Sequence, residues 1–116
     1  MRSVITVLVI SVLLTGCVTQ SRFVALDGAR QPKPETCQID VFTGKPPERS
    51  FVRVARVDAH VENTFFVQQP LTALLPSLKR QACLAGADAI IDVKESRSML
   101  LETQIYHVTA TAIVYQ

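Results

Sequence analysis

The first sixteen residues most constrain what this chain can fold into, because they are predicted to lie outside its folded part. Arg2 supplies a positive charge, residues 4–14 form an apolar run, and the small residues Thr15 and Gly16 follow. A charged start, a short apolar middle and a small-residue cleavage site are typical of a secretory signal. The apolar run is too short to span a bilayer, which takes about 20 residues. Residues 1–16 are therefore predicted to be a signal peptide.

The end of this segment, Leu14-Thr15-Gly16-Cys17, resembles the lipobox of bacterial lipoproteins. The resemblance implies that the sulfur of Cys17 carries a diacylglycerol, that cleavage occurs just before it, and that its new amine is acylated. Several acyl chains hold a protein stably on a membrane, whereas one chain gives only marginal binding. Val18, rather than an aspartate, follows the cysteine, which in enteric-type bacteria favours the outer membrane with the domain facing the periplasm. The alternative is an ordinary signal peptide or an N-terminal membrane helix with a chance cysteine.

The rest of the chain has the size and charge of one small, nearly neutral domain. The whole sequence has 116 residues with 12 Lys and Arg against 10 Asp and Glu, and only Arg2 of these lies in the signal. A chain of this length buries a single hydrophobic core. Nucleic-acid binding usually requires a clearly basic face, so the charge balance argues against a nucleic-acid partner.

Residues 17–36 are predicted to be the lipidated cysteine followed by a flexible tether. The segment is polar at both ends, contains Pro32 and Pro34, and shows no persistent helical or strand period. As a flexible coil of this length it would average on the order of 24 Å from end to end. Such a tether would keep a folded domain, residues 37–116, near the membrane while letting it search its surroundings.

Residues 37–116 are predicted to form a small α+β domain of order β-β-α-β-β, with one helix packed on a mostly antiparallel sheet. In Phe51–Val61, apolar side chains alternate with polar ones, as in a strand with one buried face. Leucines and alanines in Leu71–Ala85 recur at helical spacing, and Gly86 follows as the expected left-handed cap. Residues 89–93 and 104–115 are predicted strands, with residues 96–101 connecting them.

Three segments of this domain resemble small bacterial domains of the RcsF and YbjQ kind: Arg53–Val57, Ala85–Ile91 and Val108–Val114. RcsF is an outer-membrane lipoprotein that senses envelope damage and signals to an inner-membrane partner, while YbjQ-type domains are soluble, oligomeric and often labelled heavy-metal binders. The resemblance implies a non-enzymatic outer-membrane lipoprotein that binds envelope proteins, with envelope stress sensing as the role it suggests. The alternatives are a periplasmic metal-binding lipoprotein and a structural or secretion-associated lipoprotein.

Besides Cys17 the chain has two cysteines, Cys37 and Cys83. In an oxidising periplasm they would form one disulfide, provided that the start of the first predicted strand, residues 37–43, lies beside the end of the helix. The alternative is a pair of buried, reduced thiols, because free cysteine behaves as a small hydrophobic residue. The sequence leaves this choice open.

The two histidines, His60 and His107, both fall on predicted strands. Together with Asp58, Glu62 or a cysteine they would bind zinc or copper if the two strands were neighbours. The sequence has no CxxC or HxxxH spacing to support a metal site, and a lone strand histidine is more often a solvated surface residue. No cofactor beyond the covalent lipid is predicted.

Apolar residues stand in two predicted connections, where polar residues are usual. Phe65 and Phe66 precede the helix, and Leu100 lies between the last two strands. Exposed apolar patches often mark partner sites, so these three residues are candidates for binding an envelope protein. The alternative is that they fold back over the uncovered sheet face. No recognisable catalytic arrangement of a nucleophile with a base is present in the sequence, so the protein is predicted not to be an enzyme.

Overall fold

A computed structural model describes residues 19–64, 71–100 and 103–116 of the chain. Within these residues one helix packs on one five-stranded sheet. The elements in chain order are β1 (Gln20–Ala25), β2 (Asp40–Val41), β3 (Phe51–Thr64), α1 (Leu71–Leu84), β4 (Ala89–Leu100) and β5 (Thr103–Tyr115).

The sheet has the spatial order β1-β3-β5-β4-β2 and is mostly antiparallel. β3 and β4 both pair antiparallel with β5, so they run parallel to each other on either side of it. Only β2 pairs in parallel, with the first residues of β4. The predicted α+β class, with one helix on a mostly antiparallel sheet, is confirmed.

The structure departs from the predicted tether at residues 20–25, which form the edge strand β1 against β3. Gln20 lies opposite His60 and Ala25 lies opposite Ala55. Phe23 packs against the core, and the hydroxyl of Ser21, on the same side of the strand, accepts a hydrogen bond from Gln81 of the helix at 3.0 Å. The alternation in this strand is weak because only one large apolar side chain points inward, so the sequence pattern does not reveal it.

A second departure concerns residues 96–100, which the sequence predicts to connect two strands. They continue β4 as far as Leu100, paired with β5 throughout. Asp92 interrupts this long strand with a positive φ of 53°, at an irregularity between Ile91 and Lys94. A bulge of this kind increases local twist and bends the strand that carries it.

The main core lies between α1 and one face of the sheet. From Ala55 to Val61 the predicted inward positions of β3 are buried, and Leu74 and Leu78 of the helix pack over them. Phe51, predicted on the same face, lies on the opposite one, because the pairing of β3 with β5 shifts register between Arg53 and Ala55. A smaller cluster of Ala89, Ile91 and Ile113 lies on the opposite face, because neighbouring strand residues point to opposite sides. Phe42 and Phe51 pack against this second cluster at the end of the sheet where β3 begins.

The helix ends as its glycine predicts. Gly86 adopts a φ of +77°, and its N–H donates to the carbonyl of Cys83 at 3.0 Å. The N–H of Ala87 donates to the carbonyl of Ala82 at 2.9 Å, which completes a Schellman cap. No helix in the described part of the chain has both the length and the hydropathy needed to cross a membrane.

Candidate functional site

Cys37 and Cys83 form a disulfide, with their Cα atoms 5.9 Å apart. Cys83 lies in the last turn of α1 and is fully buried, while Cys37 lies just before β2. The disulfide therefore holds the chain that precedes β2 against the end of the helix. Of the two alternatives that the sequence leaves open, the bridge is confirmed, and the pair of reduced thiols is not what the structure has.

Residues 30–33 lie against the same end of the helix. The backbone N–H of Lys33 donates to the carbonyl of Cys83 at 2.8 Å, and its ammonium contacts the Asp88 carboxylate at 2.5 Å. Partial burial would raise the pKa of Asp88, but hydrogen bonds from Lys33 and from the N–H of Tyr115 outweigh it and lower that pKa. These contacts make this corner a structural junction that joins the N-terminal segment, the helix and β5.

The two histidines meet on the sheet face opposite the helix. His60 of β3 and His107 of β5 are directly opposed in the antiparallel register, with ring centroids 5.3 Å apart. Both side chains are half-buried. They lie in an open groove of about 500 Å³, which is also lined by Gln20, Ser21, Arg22, Asp58 and Thr109.

Charge in this groove is nearly balanced. The Nε of Arg22 lies 3.1 Å from a carboxylate oxygen of Asp58, in a pair whose arginine side chain is 76% exposed. An exposed pair of this kind contributes little to stability. Within residues 19–64, 71–100 and 103–116, no group of three or more His, Cys, Asp or Glu side chains is placed to hold a metal ion.

The outer edge of β4 is a second candidate surface. β2 covers only Ala89 and Ile90, and no other described residue pairs with that edge beyond them. All six residues from Lys94 to Met99 are exposed along this edge, and Val93 before them is half-buried. An unpaired strand edge offers a row of backbone donors and acceptors on which another chain can add a strand.

The pairing of β4 with β5 shows which backbone groups face outward. The carbonyl of Ile113 points toward β4, because it accepts a hydrogen bond from the N–H of Asp88. Along an antiparallel strand, the N–H and C=O groups of successive residues point to opposite neighbouring strands. The odd-numbered residues of β5 therefore all bond toward β4. Their partners after the bulge are Lys94, Ser96 and Ser98. The N–H and C=O groups of Glu95, Arg97 and Met99 therefore point to the open edge.

A buried tyrosine supports this edge from the helix side of the sheet. The hydroxyl of Tyr106 donates to the carboxylate of Glu95, and the guanidinium of Arg97 lies 4.8 Å from the centre of its ring. Burial, followed by the hydrogen bond to Glu95, raises the pKa of Tyr106 to about 12. Tyr106 thus stays neutral at physiological pH and fixes two side chains of the open strand.

The predicted site residues fall into three groups. The structure brings together Cys37 with Cys83, and His60 with His107. The backbone of Leu100 ends β4, whereas its side chain, with Cys17, Phe65 and Phe66, lies outside the described parts of the chain.

The open edge of β4 is not among the sites predicted from the sequence. The residues Lys94-Glu95-Ser96-Arg97-Ser98 are polar on both faces of a strand, and charged residues are a common feature of edge strands. That composition is the available signal for this edge.

Comparison of the chain with protein-family models, with curated proteins and with solved structures finds no match in any of the three.

Proposed function

We propose that this chain is a non-enzymatic lipoprotein of the bacterial outer membrane, whose periplasmic domain binds another envelope protein in stress sensing. The residues Leu14–Cys17 support the lipid anchor, and Val18 supports the outer membrane. The observation that carries partner binding is the open edge of β4, exposed from Glu95 to Met99.

The mode of binding that this edge favours is strand addition. A partner would contribute an extended segment whose backbone pairs with Glu95, Arg97 and Met99. Main-chain hydrogen bonds supply affinity in this mode, and side chains on both faces supply specificity. The two faces differ here: Lys94, Ser96 and Ser98 share the face of His107, whereas Glu95 and Arg97 lie on the face of Tyr106. A partner segment with alternating charges would match the second face.

Met99 offers a matched pair of variants that separates backbone from side-chain binding. Met99→Ala keeps the outward N–H, whereas Met99→Pro removes it and places a ring at the edge. Neither change removes a bond to β5, because the backbone of Met99 points away from that strand. The loss of about 1 kcal/mol for one hydrogen bond, together with the obstructing ring, predicts roughly tenfold weaker partner binding in Met99→Pro alone.

The measurement is cross-linking of the full chain in intact cell envelopes, followed by mass spectrometry. Cys17→Ala is included as the anchor control, and we expect its intact mass to lack the acyl chains that wild type carries. A wild-type intact mass without acyl chains would contradict the lipid anchor. Equal cross-linking by wild type, Met99→Ala and Met99→Pro would contradict strand addition. Absence of any cross-linked protein would favour a structural or secretion-associated lipoprotein.

Metal binding is the second candidate, favoured by one observation: His60 and His107 face each other across two strands with ring centroids 5.3 Å apart. Two imidazoles supply half of a tetrahedral zinc site, and water or a partner group would complete it. Under this alternative, the full chain binds Zn²⁺ or Cu²⁺ with micromolar affinity in calorimetric titration. His60→Ala and His107→Ala each weaken binding at least tenfold, whereas Thr109→Ala in the same groove leaves it unchanged. Binding that is equal in all four proteins would exclude this pair as the site.

A further inference from the structure

The path of the chain into the sheet limits how far the domain can stand from its anchor. Strand β1 begins at Gln20, only three residues after Cys17. Three extended residues span at most about 11 Å. If Cys17 carries the lipid, as proposed above, the first residue of the sheet lies within that distance of the anchored Cα atom. The flexible tether predicted over residues 17–36 would then be reduced to the short connection from Cys17 to Gln20.

The end of the sheet that this connection approaches is set by the strand pairing. Because β1 is antiparallel to β3, the start of β1 points toward the end of β3. Gln20 lies opposite His60, and β3 continues four residues further to Thr64. At roughly 3.3 Å per residue, the end of β3 lies about 13 Å beyond the level of Gln20. Thr64 pairs with Thr103 and Thr103 with Leu100, so β4 ends at the same level.

The connection from Cys17 to Gln20 is slightly shorter than the distance by which the strand ends extend beyond Gln20. If the strands stand perpendicular to the membrane, their ends extend about 13 Å beyond Gln20 toward it, whereas the connection from Cys17 holds Gln20 within about 11 Å of the anchor. The strand ends therefore reach the membrane surface. We propose that this end of the sheet, where Met99 lies near the tip of the β4–β5 hairpin, contacts the surface of the bilayer that holds the lipid on Cys17. The surface that this end of the sheet contacts is thus the membrane, and the open edge of β4 extends away from it.

The chemistry of the hairpin end agrees with contact to lipid. The side chain of Met99 is 64% exposed and is the most exposed large apolar side chain in the described parts of the chain. Among the described residues at this end of the sheet, 62–64 of β3, 98–100 of β4 and 103–105 of β5, only Glu62 is charged, and Glu102 stands between β4 and β5 in the sequence. Exposed apolar area gains free energy when it is buried at the boundary between the headgroups and the acyl chains. At the opposite end of the sheet, Lys45, Glu48 and Arg49 are exposed.

Fluorescence provides a direct test, because the chain has no tryptophan. Met99→Trp places one reporter at the hairpin end, and Lys45→Trp places a matched reporter in the exposed loop at the other end. Each full-length, lipidated protein is incorporated into phosphatidylcholine vesicles that carry bromine on their acyl chains. We expect the emission of Met99→Trp to shift to shorter wavelength and to be quenched several-fold more than that of Lys45→Trp. Adding Cys17→Ala to Met99→Trp should abolish the quenching.

Three results would overturn the proposal, and they differ in what else they affect. Equal quenching of the two reporters in lipidated protein shows that the hairpin end is away from the membrane, while the proposed function stands. A blue shift in Met99→Trp without bromine quenching shows that the tip contacts protein instead. An intact mass that lacks acyl chains removes the anchor, and with it both the proposed function and this inference.

Discussion

Reduction of the Cys37–Cys83 disulfide is expected to lower the free energy of unfolding by about 4 kcal/mol. The bridge joins residues 46 positions apart, so it restricts a long loop of the unfolded chain. It also holds residues 30–37 on the end of α1, where Lys33 contacts both Cys83 and Asp88. A loss of this size is a large fraction of the stability of a small domain, which is about 5–15 kcal/mol in total.

The measurement is denaturant unfolding of the Cys17→Ala protein with and without reductant, so that only Cys37 and Cys83 respond. The midpoint should fall on reduction, and thiol labelling of the denatured, unreduced protein should find no free thiol. The double variant Cys37→Ala/Cys83→Ala is the control, because its midpoint should not respond to reductant. Two reactive thiols before reduction, or a midpoint that reductant leaves unchanged, would contradict the role assigned to the bridge.

Gly86→Ala is expected to destabilise the domain by about 3 kcal/mol through two separate costs. Gly86 has a φ of +77°, a conformation that disfavours any residue with a Cβ. A Cβ at this position would also lie 2.8 Å from the backbone oxygen of Gln31 and 3.1 Å from the Cβ of Arg30. The segment that contains these two residues cannot move away freely, because Lys33 and the disulfide hold it on the helix end.

Gly28 and Gly44 allow the cost of the positive φ to be separated from the cost of the contact with residues 30–31. Gly28 has a φ of +65°, but a Cβ added there would meet no atom within 4 Å, so Gly28→Ala should cost only about 1 kcal/mol. Gly44 has neither feature, and Gly44→Ala should leave stability nearly unchanged. Denaturant midpoints of the three variants are compared with wild type under oxidising conditions. Equal losses for Gly86→Ala and Gly28→Ala would show that contact with residues 30–31 contributes nothing.

The disulfide and Gly86 lie at the same corner of the molecule, where the N-terminal segment meets the end of α1. Residues 20–25 belong to the sheet, and residues 30–37 are attached to the helix end. If Cys17 is lipidated, the domain is held close to the membrane rather than at the end of a long flexible tether. Partner binding at the β4 edge would then be limited to proteins that come within reach of the membrane surface.

The sequence by itself determined the elements whose patterns are local. The helical spacing of leucines and alanines predicted α1, and Gly86 predicted its end. The alternation in β3 predicted which side chains are buried from Ala55 to Val61, beyond the irregularity at Val54. These patterns are legible because each depends only on residues a few positions apart, which share one face of one element.

Only the tertiary structure decided the features that depend on distant partners. β1 gains its stability from β3 and from Gln81 of the helix, and its own residues show little strand pattern. The disulfide required the chain before β2 to meet the helix end, and the histidine pair required β3 and β5 to be neighbours in one register. The open edge of β4 follows from the shortness of β2, which leaves Lys94–Met99 unpaired on one side among the described residues. Strand order and register are set by packing across the whole sheet, and no local stretch of sequence contains them.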